Sequence, residues 1–111
     1  MIAVEQINGK GRGLIATEAI PRGTVVSVCP IITMPAGSLD GTLLENHVWT
    51  EGDTTFLALG PQTLVNHSHE PNCVGFLHEN KDFLVSIRAI SAGEELTLDY
   101  SDFCDGWDGT P

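Results

Sequence analysis

No stretch of ten or more residues in this chain carries a helical period. Apolar, β-branched segments recur instead in short pieces cut by Gly, Pro and Asn. A strand needs only alternation over a few residues, whereas a helix must repeat its apolar positions over several turns. The pattern therefore predicts a mostly β domain of many short strands. Strands are expected over Ile2–Ile7, Gly13–Thr17, Thr24–Thr33 and Glu95–Leu98. Leu43–Trp49 and Thr55–Leu59 read as a strand pair across Glu51-Gly52-Asp53. Val74–Glu79 and Asp82–Ile87 read as a hairpin across Asn80-Lys81. Pro35–Thr42 is small and turn-rich, hence a loop, and Pro61 introduces one helical turn over Gln62–Asn66. Phe56, Phe76, Phe83 and Trp49 are expected in the core.

The length, 111 residues, suits one domain over 1–111 with one small core. No internal repeat or low-complexity tract is evident. No apolar run approaches the roughly 20 residues that span a bilayer. The opening MIAVEQINGKGRG lacks a basic and then apolar layout, so a cytoplasmic protein is expected. Cys29, Cys73 and Cys104 are widely spaced, as suits reduced thiols. His67, His69, Cys73 and Cys104 are conceivable zinc ligands, but their spacing is not that of a zinc finger, and no metal site is expected.

Fifteen acids face five bases, for a net charge of -10. Such a chain repels nucleic acid and anionic membrane and attracts basic proteins. The acids concentrate after Arg88, at Glu94, Glu95, Asp99, Asp102, Asp105 and Asp108. Solubility alone would explain the charge equally well. The polar, Gly-rich stretch Asp105–Pro111 is expected to fray unless a ligand orders it.

Three strings carry chemistry. Gly11-Arg12-Gly13 lets backbone come close to a ligand, although a tight turn would also use it. Asn66-His67-Ser68, followed by Pro71-Asn72, concentrates polar groups that a plain turn would also use. Glu95-Leu96-Thr97-Leu98-Asp99-Tyr100 ends on the single tyrosine of the chain, which could simply be a buried ring with a bonded hydroxyl.

In this order, GKGRGLIATEAIPRG, NHSHEPNC and GEELTLDY resemble the SET domain family of protein lysine methyltransferases, over most of Gly9–Ser101. The short size resembles minimal viral or bacterial forms. The resemblance implies small curled sheets around a knot-like C-terminal crossing, and S-adenosylmethionine as cofactor. Carried onto this sequence, it implies cofactor binding by Lys10, Gly11, Arg12 and Gly13, by Asn66 and His67, and by Tyr100. Phe103 and Trp107 would cover the adenine or the lysine channel. Tyr100 would be catalytic, helped by backbone carbonyls of the Leu64–Val65 stretch; Asn72 and Glu95 would hold the crossing.

The transfer itself depends chiefly on alignment, because amine, methyl and sulfur must lie in line. The lysine amine must be neutral, although its free pKa is about 10.4. A narrow apolar channel disfavours the ammonium. The chain departs from the family's common pattern in four ways. No cysteine cluster follows Tyr100, the insert between the first two blocks, which in the family forms one wall of the peptide groove, is short, no second tyrosine stands around the lysine, and Leu98 stands where Phe is usual. The expected function is methyl transfer to a lysine of a basic protein, with a possible homodimer covering exposed groove walls. Location in a host nucleus is compatible with a viral or eukaryotic source. A non-catalytic SET-like module that binds a peptide or partner, and a small acidic assembly domain, are the rival readings.

Overall fold

The computed structural model describes residues 1–9 and 11–100. Lys10, Phe103 and Trp107 lie outside the described residues, as do Cys104 and the acids Asp102, Asp105 and Asp108. Nine strands and two short 3₁₀ turns are described: β1 Ile2–Ile7, β2 Gly11–Ala16, β3 Val25–Pro35, β4 Trp49–Glu51, β5 Thr54–Ala58, β6 Asn66–His67, β7 Cys73–His78, β8 Lys81–Ser86 and β9 Glu95–Leu98. The turns are Glu45–His47 and Pro61–Leu64. Among the described residues no helix is long and apolar enough to cross a membrane.

The strands make two sheets. One has the order β1-β2-β9-β6, the other β4-β5-β3-β8-β7. Leu14, Leu84 and Leu96 are fully buried, and Ala16, Ile20, Val65, Cys73, Ile90 and Leu98 complete the core around them. Alternation explains the choice. In β8, Asp82, Leu84 and Ser86 are buried while Phe83 and Val85 are only partly covered. Two similar segments, Ala19-Ile20-Pro21-Arg22-Gly23 and Ala89-Ile90-Ser91-Ala92-Gly93, face one another through reciprocal Ile20 and Ile90 backbone bonds of 2.8 and 2.9 Å. Their likeness is too brief to register as a sequence repeat.

Three expectations change. The β7–β8 hairpin turns at Glu79-Asn80, one residue earlier than Asn80-Lys81, with φ of 51° and 63°. Left-handed backbone at both central residues matches the right-handed twist of a hairpin, and Asn tolerates it well. Leu43–Trp49 is not a strand; it holds the 3₁₀ turn Glu45–His47, and only Trp49 enters β4. The turn buries none of its own residues, so no sheet face selects alternation there. Finally, none of the four aromatic residues expected in the core belongs to it: Trp49, Phe56 and Phe83 are only partly buried, and Phe76 is 46% exposed. Phe76 stacks on Phe83 at 5.1 Å between centroids. Both belong to the outer face of the larger sheet, where β7 and β8 pair Phe76 with Phe83. Trp49 and Phe56, partly buried, stack in the same way at 5.4 Å.

What positions the site is the parallel pairing of β6 with β9, Asn66 with Thr97 and His67 with Leu98. It sets the second sequence block beside the third. The first block joins through β2, whose Leu14 and Ile15 pair with Leu96 and Glu95.

Candidate active site

Asn72, almost fully buried, fastens the second block to the third. Its Nδ2 donates to the Glu95 carbonyl at 2.7 Å, and its Oδ1 accepts from the Thr97 N–H at 2.9 Å. A buried amide bonded at both ends fixes register as well as position. One strand away, Asn66 Nδ2 donates to Glu95 Oε2 at 2.8 Å and to the Arg12 carbonyl at 3.2 Å. A carboxylate only accepts, so it fixes which end of the amide faces it.

Gly13 lies beneath this arrangement. A Cβ there would stand 2.6 Å from Ile7 Cγ1 and 2.8 Å from both Asn66 Nδ2 and Glu95 Oε2. Its lack of a side chain is a requirement of close approach. Gly13 thus supports Asn66 from below, whereas Gly11 and Arg12 reach the cleft directly.

His67 is buried, and its ring does something the sequence did not announce. Nδ1 accepts the Tyr100 backbone N–H at 3.0 Å. A nitrogen that accepts carries no proton, so Nε2 holds the ring proton in this arrangement. The imidazole therefore fixes the backbone of the tyrosine expected to be catalytic. No local signal in the sequence carries this contact, because the two residues meet only through the pairing of β6 with β9.

The Tyr100 hydroxyl donates to the Val65 carbonyl. Both line a cleft of about 280 Å³ with Gly11, Arg12, Asn46, His47, Thr63 and Leu64. Tyr100 is half-buried, with its ring against that of His67 at 5.3 Å. Asn46 and His47 were absent from the sequence expectations because they belong to no recognisable block. Val65 enters through its backbone, in the stretch expected to supply carbonyls.

His67, His69 and Asp99 bring ligand-type atoms within 4.8 Å of one another. The His67 nitrogen nearest Asp99, 3.8 Å away, is the one already accepting the Tyr100 N–H. Cys73 is not in this group; burial pushes its thiol up to about 12, and a zinc ligand must be a thiolate.

The polar arrangement suits an elongated ligand bearing both charged and apolar parts. The Asn66 amide donates to the Arg12 carbonyl and so holds the Gly11–Arg12 turn, which shares the cleft with the phenol of Tyr100. Leu64 and Val65 give the same cleft an apolar side.

A family model, SET domain, matches residues 11–101. A Schizosaccharomyces pombe histone-lysine N-methyltransferase, H3 lysine-37 specific, is 31% identical over 110 residues, covering 91% of this chain and 74% of that protein. Human histone-lysine N-methyltransferase 2D is 49% identical over 45 residues, covering 37% of this chain and 1% of that protein. The fold also resembles that of a Plasmodium falciparum protein proposed to be a histone methyltransferase. The TM-score is 0.78 at 22% identity, over 90% of this chain and 96% of that one. With the glycine turn and the terminal tyrosine at one cleft, the Asn-His segment bonded to both, and the family model matched over residues 11–101, this chain belongs to the SET domain family.

Proposed function

We propose that this protein-lysine N-methyltransferase takes its methyl group from S-adenosylmethionine and delivers it to a lysine of a basic protein, histone-like in chemistry. The observation that carries the reading is the Tyr100 hydroxyl held by the Val65 carbonyl in a cleft that also contains Gly11 and Arg12. S-adenosylmethionine, when bound, would supply a methyl on a positively charged sulfur; a neutral lysine amine would bond to that carbon in line as the carbon–sulfur bond breaks and the uncharged thioether leaves. Gly11, Arg12 and Asn66 would hold the cofactor's amino-acid end, and His67 would serve through its backbone.

Tyr100 directs its hydroxyl hydrogen at the Val65 carbonyl, so the oxygen's lone pairs point elsewhere, and the residue lines the cleft. Preorganised oxygen dipoles cost no reorganisation as charge shifts, which is where an enzyme gains most. His67 removes the remaining freedom by fixing the Tyr100 backbone. Leu64 and Val65 make the cleft locally apolar, which favours the neutral amine over the ammonium. The net charge of -10 draws in a basic partner. Self-association belongs to the same proposal, motivated by Val25, Val28 and Phe76 left exposed on the larger sheet. Sedimentation as a monomer at high micromolar concentration, with and without cofactor, would remove that part.

Incubation with isotope-labelled S-adenosylmethionine and core histones, followed by peptide mass spectrometry, tests the reading. Labelled methyl on lysine is expected. Cofactor binding without transfer to any basic protein would favour a non-catalytic peptide-binding module; no binding at all would favour an assembly domain. Asn66→Ala should weaken cofactor binding at least several-fold in a folded protein, measured by calorimetry. Unchanged affinity would move the cofactor site elsewhere.

A further inference from the structure

The 3₁₀ turn Pro61–Leu64 leads straight into Val65, whose carbonyl accepts from the Tyr100 hydroxyl. Gly60 before it gives no side-chain cap, and Gln62 is the one buried residue of the turn. Burying an amide is costly unless its polar atoms find partners. Here both ends are bonded. Ser27 Oγ donates to Gln62 Oε1 at 3.0 Å, and Gln62 Nε2 donates to the Asp82 carbonyl at 3.1 Å. Ser27 belongs to β3 and Asp82 to β8, so one side chain fastens the turn to two paired strands of the larger sheet. Gln62 belongs to none of the three sequence blocks.

The turn passes this hold on toward the tyrosine. The Val65 N–H donates back to the Gln62 carbonyl at 3.3 Å, and the Thr63 N–H donates to Gly60 at 3.2 Å. Close approach supports the same placement: a Cβ on Gly60 would stand 2.6 Å from Cys29 Cβ and 3.1 Å from Gln62 Oε1. The Val65 side chain, in the core, fixes where that residue sits. The turn before it and β6 after it set the aim of its carbonyl. Thr63, Leu64 and Val65 line the cleft, and Gln62 does not. Any effect of Gln62 on chemistry there passes through the turn.

We propose that Gln62 is a positioning residue for methyl transfer: by tying the turn Pro61–Leu64 to Ser27 and Asp82 it aims the Val65 carbonyl, which in turn orients the Tyr100 hydroxyl. The inference rests on the methyltransferase reading above. A hydroxyl keeps its oxygen dipole preorganised only while its acceptor stays in place. Two bonds from one buried amide supply that constancy from outside the cleft.

The test is a double-mutant cycle in the full chain, with S-adenosylmethionine and a lysine-rich histone H3 peptide. Gln62→Met nearly keeps the length and volume of the side chain and removes both bonds. Single-turnover methyl transfer should fall about tenfold, with peptide KM and cofactor Kd nearly unchanged. In a Tyr100→Phe background the same substitution should change the rate by less than about twofold, because no hydroxyl remains to be misaimed. Ser27→Ala removes one of the two bonds. It should give a smaller loss with the same dependence on Tyr100, and it carries the cycle if Gln62→Met does not fold. Hydrogen exchange of residues 61–66 should quicken in both variants. An equal loss with and without the Tyr100 hydroxyl would make Gln62 a structural residue only and overturn the proposal. An unchanged rate, or unchanged exchange, would do the same. If the parent transfers no methyl, the function reading fails and takes the proposal with it, even where quickened exchange shows that Gln62 holds the turn.

Discussion

The β6–β9 pair and the segment between β3 and β4 both reach the cleft, yet they are held in opposite ways. Around β6 and β9, side chains bond across the sequence blocks: buried Asn72 through both ends of its amide to Glu95 and Thr97, buried His67 to the Tyr100 backbone, and half-buried Asn66 to Glu95 and Arg12. Leu96 and Leu98 anchor the same strand in the core. The other segment buries nothing in its 3₁₀ turn and reaches Thr63 through one exposed imidazole. Chemistry that depends on a fixed tyrosine sits on the dense side. The loosely tied side carries Asn46 and His47 to the same cleft, where local opening costs least.

The sharpest way to break this contrast is Asn72→Ala. The change strands the Glu95 carbonyl and the Thr97 N–H and leaves a small void, for a loss of about 3 kcal/mol. Urea denaturation measures it, and a loss below about 1 kcal/mol would mean the pairing is held by something other than Asn72.

A weak point in the larger sheet, outside both regions, bears on the contrast. Asp82 sits in β8 between Cys29 of β3 and Leu77 of β7, and burial pushes its carboxyl from an ordinary 3.8 up to about 6. A raised folded-state value means that the protonated acid favours the fold. The benefit is complete below the unfolded value and is lost as pH rises through about 6. Asp82→Asn should therefore stabilise the protein at pH 8, by about 2 kcal/mol, and give little or no gain at pH 4. Thermal melts at the two pH values check this; a gain of equal size at both would assign the effect to something other than ionisation.

The smallest effect is expected from His47→Ala, which removes one exposed bond to Thr63 and should shift unfolding stability by less than about 0.5 kcal/mol. A loss of several kcal/mol in a urea titration would make the segment a structural part of the core and erase the contrast.

The same contrast explains what the sequence disclosed. The dense side is written in side chains of restricted choice: a glycine with no room for Cβ at 13, an amide bonded at both ends at 72, a phenol at 100. Their order along the chain was readable, as were most strands, because alternation and turn residues are local signals. The ring of His67 acting on Tyr100 was not readable, since the two meet only through the parallel pairing of β6 with β9, 33 residues apart. Nor was the place of His47 in the cleft, because Leu43–Trp49 has an apolar content that suits a strand and only tertiary placement leaves it uncovered. Phe76 misled for a related reason: aromatic residues favour strands on either face, and composition does not say which face meets the core.

Tyr100→Phe tests the central claim most directly. The substitution removes the hydroxyl bonded to Val65 and keeps the ring beside His67. Single-turnover methyl transfer to a lysine peptide should fall on the order of 10²-fold, with cofactor affinity by calorimetry nearly unchanged. Full turnover in a folded Tyr100→Phe protein would contradict the assignment of this cleft as the methyl-transfer site.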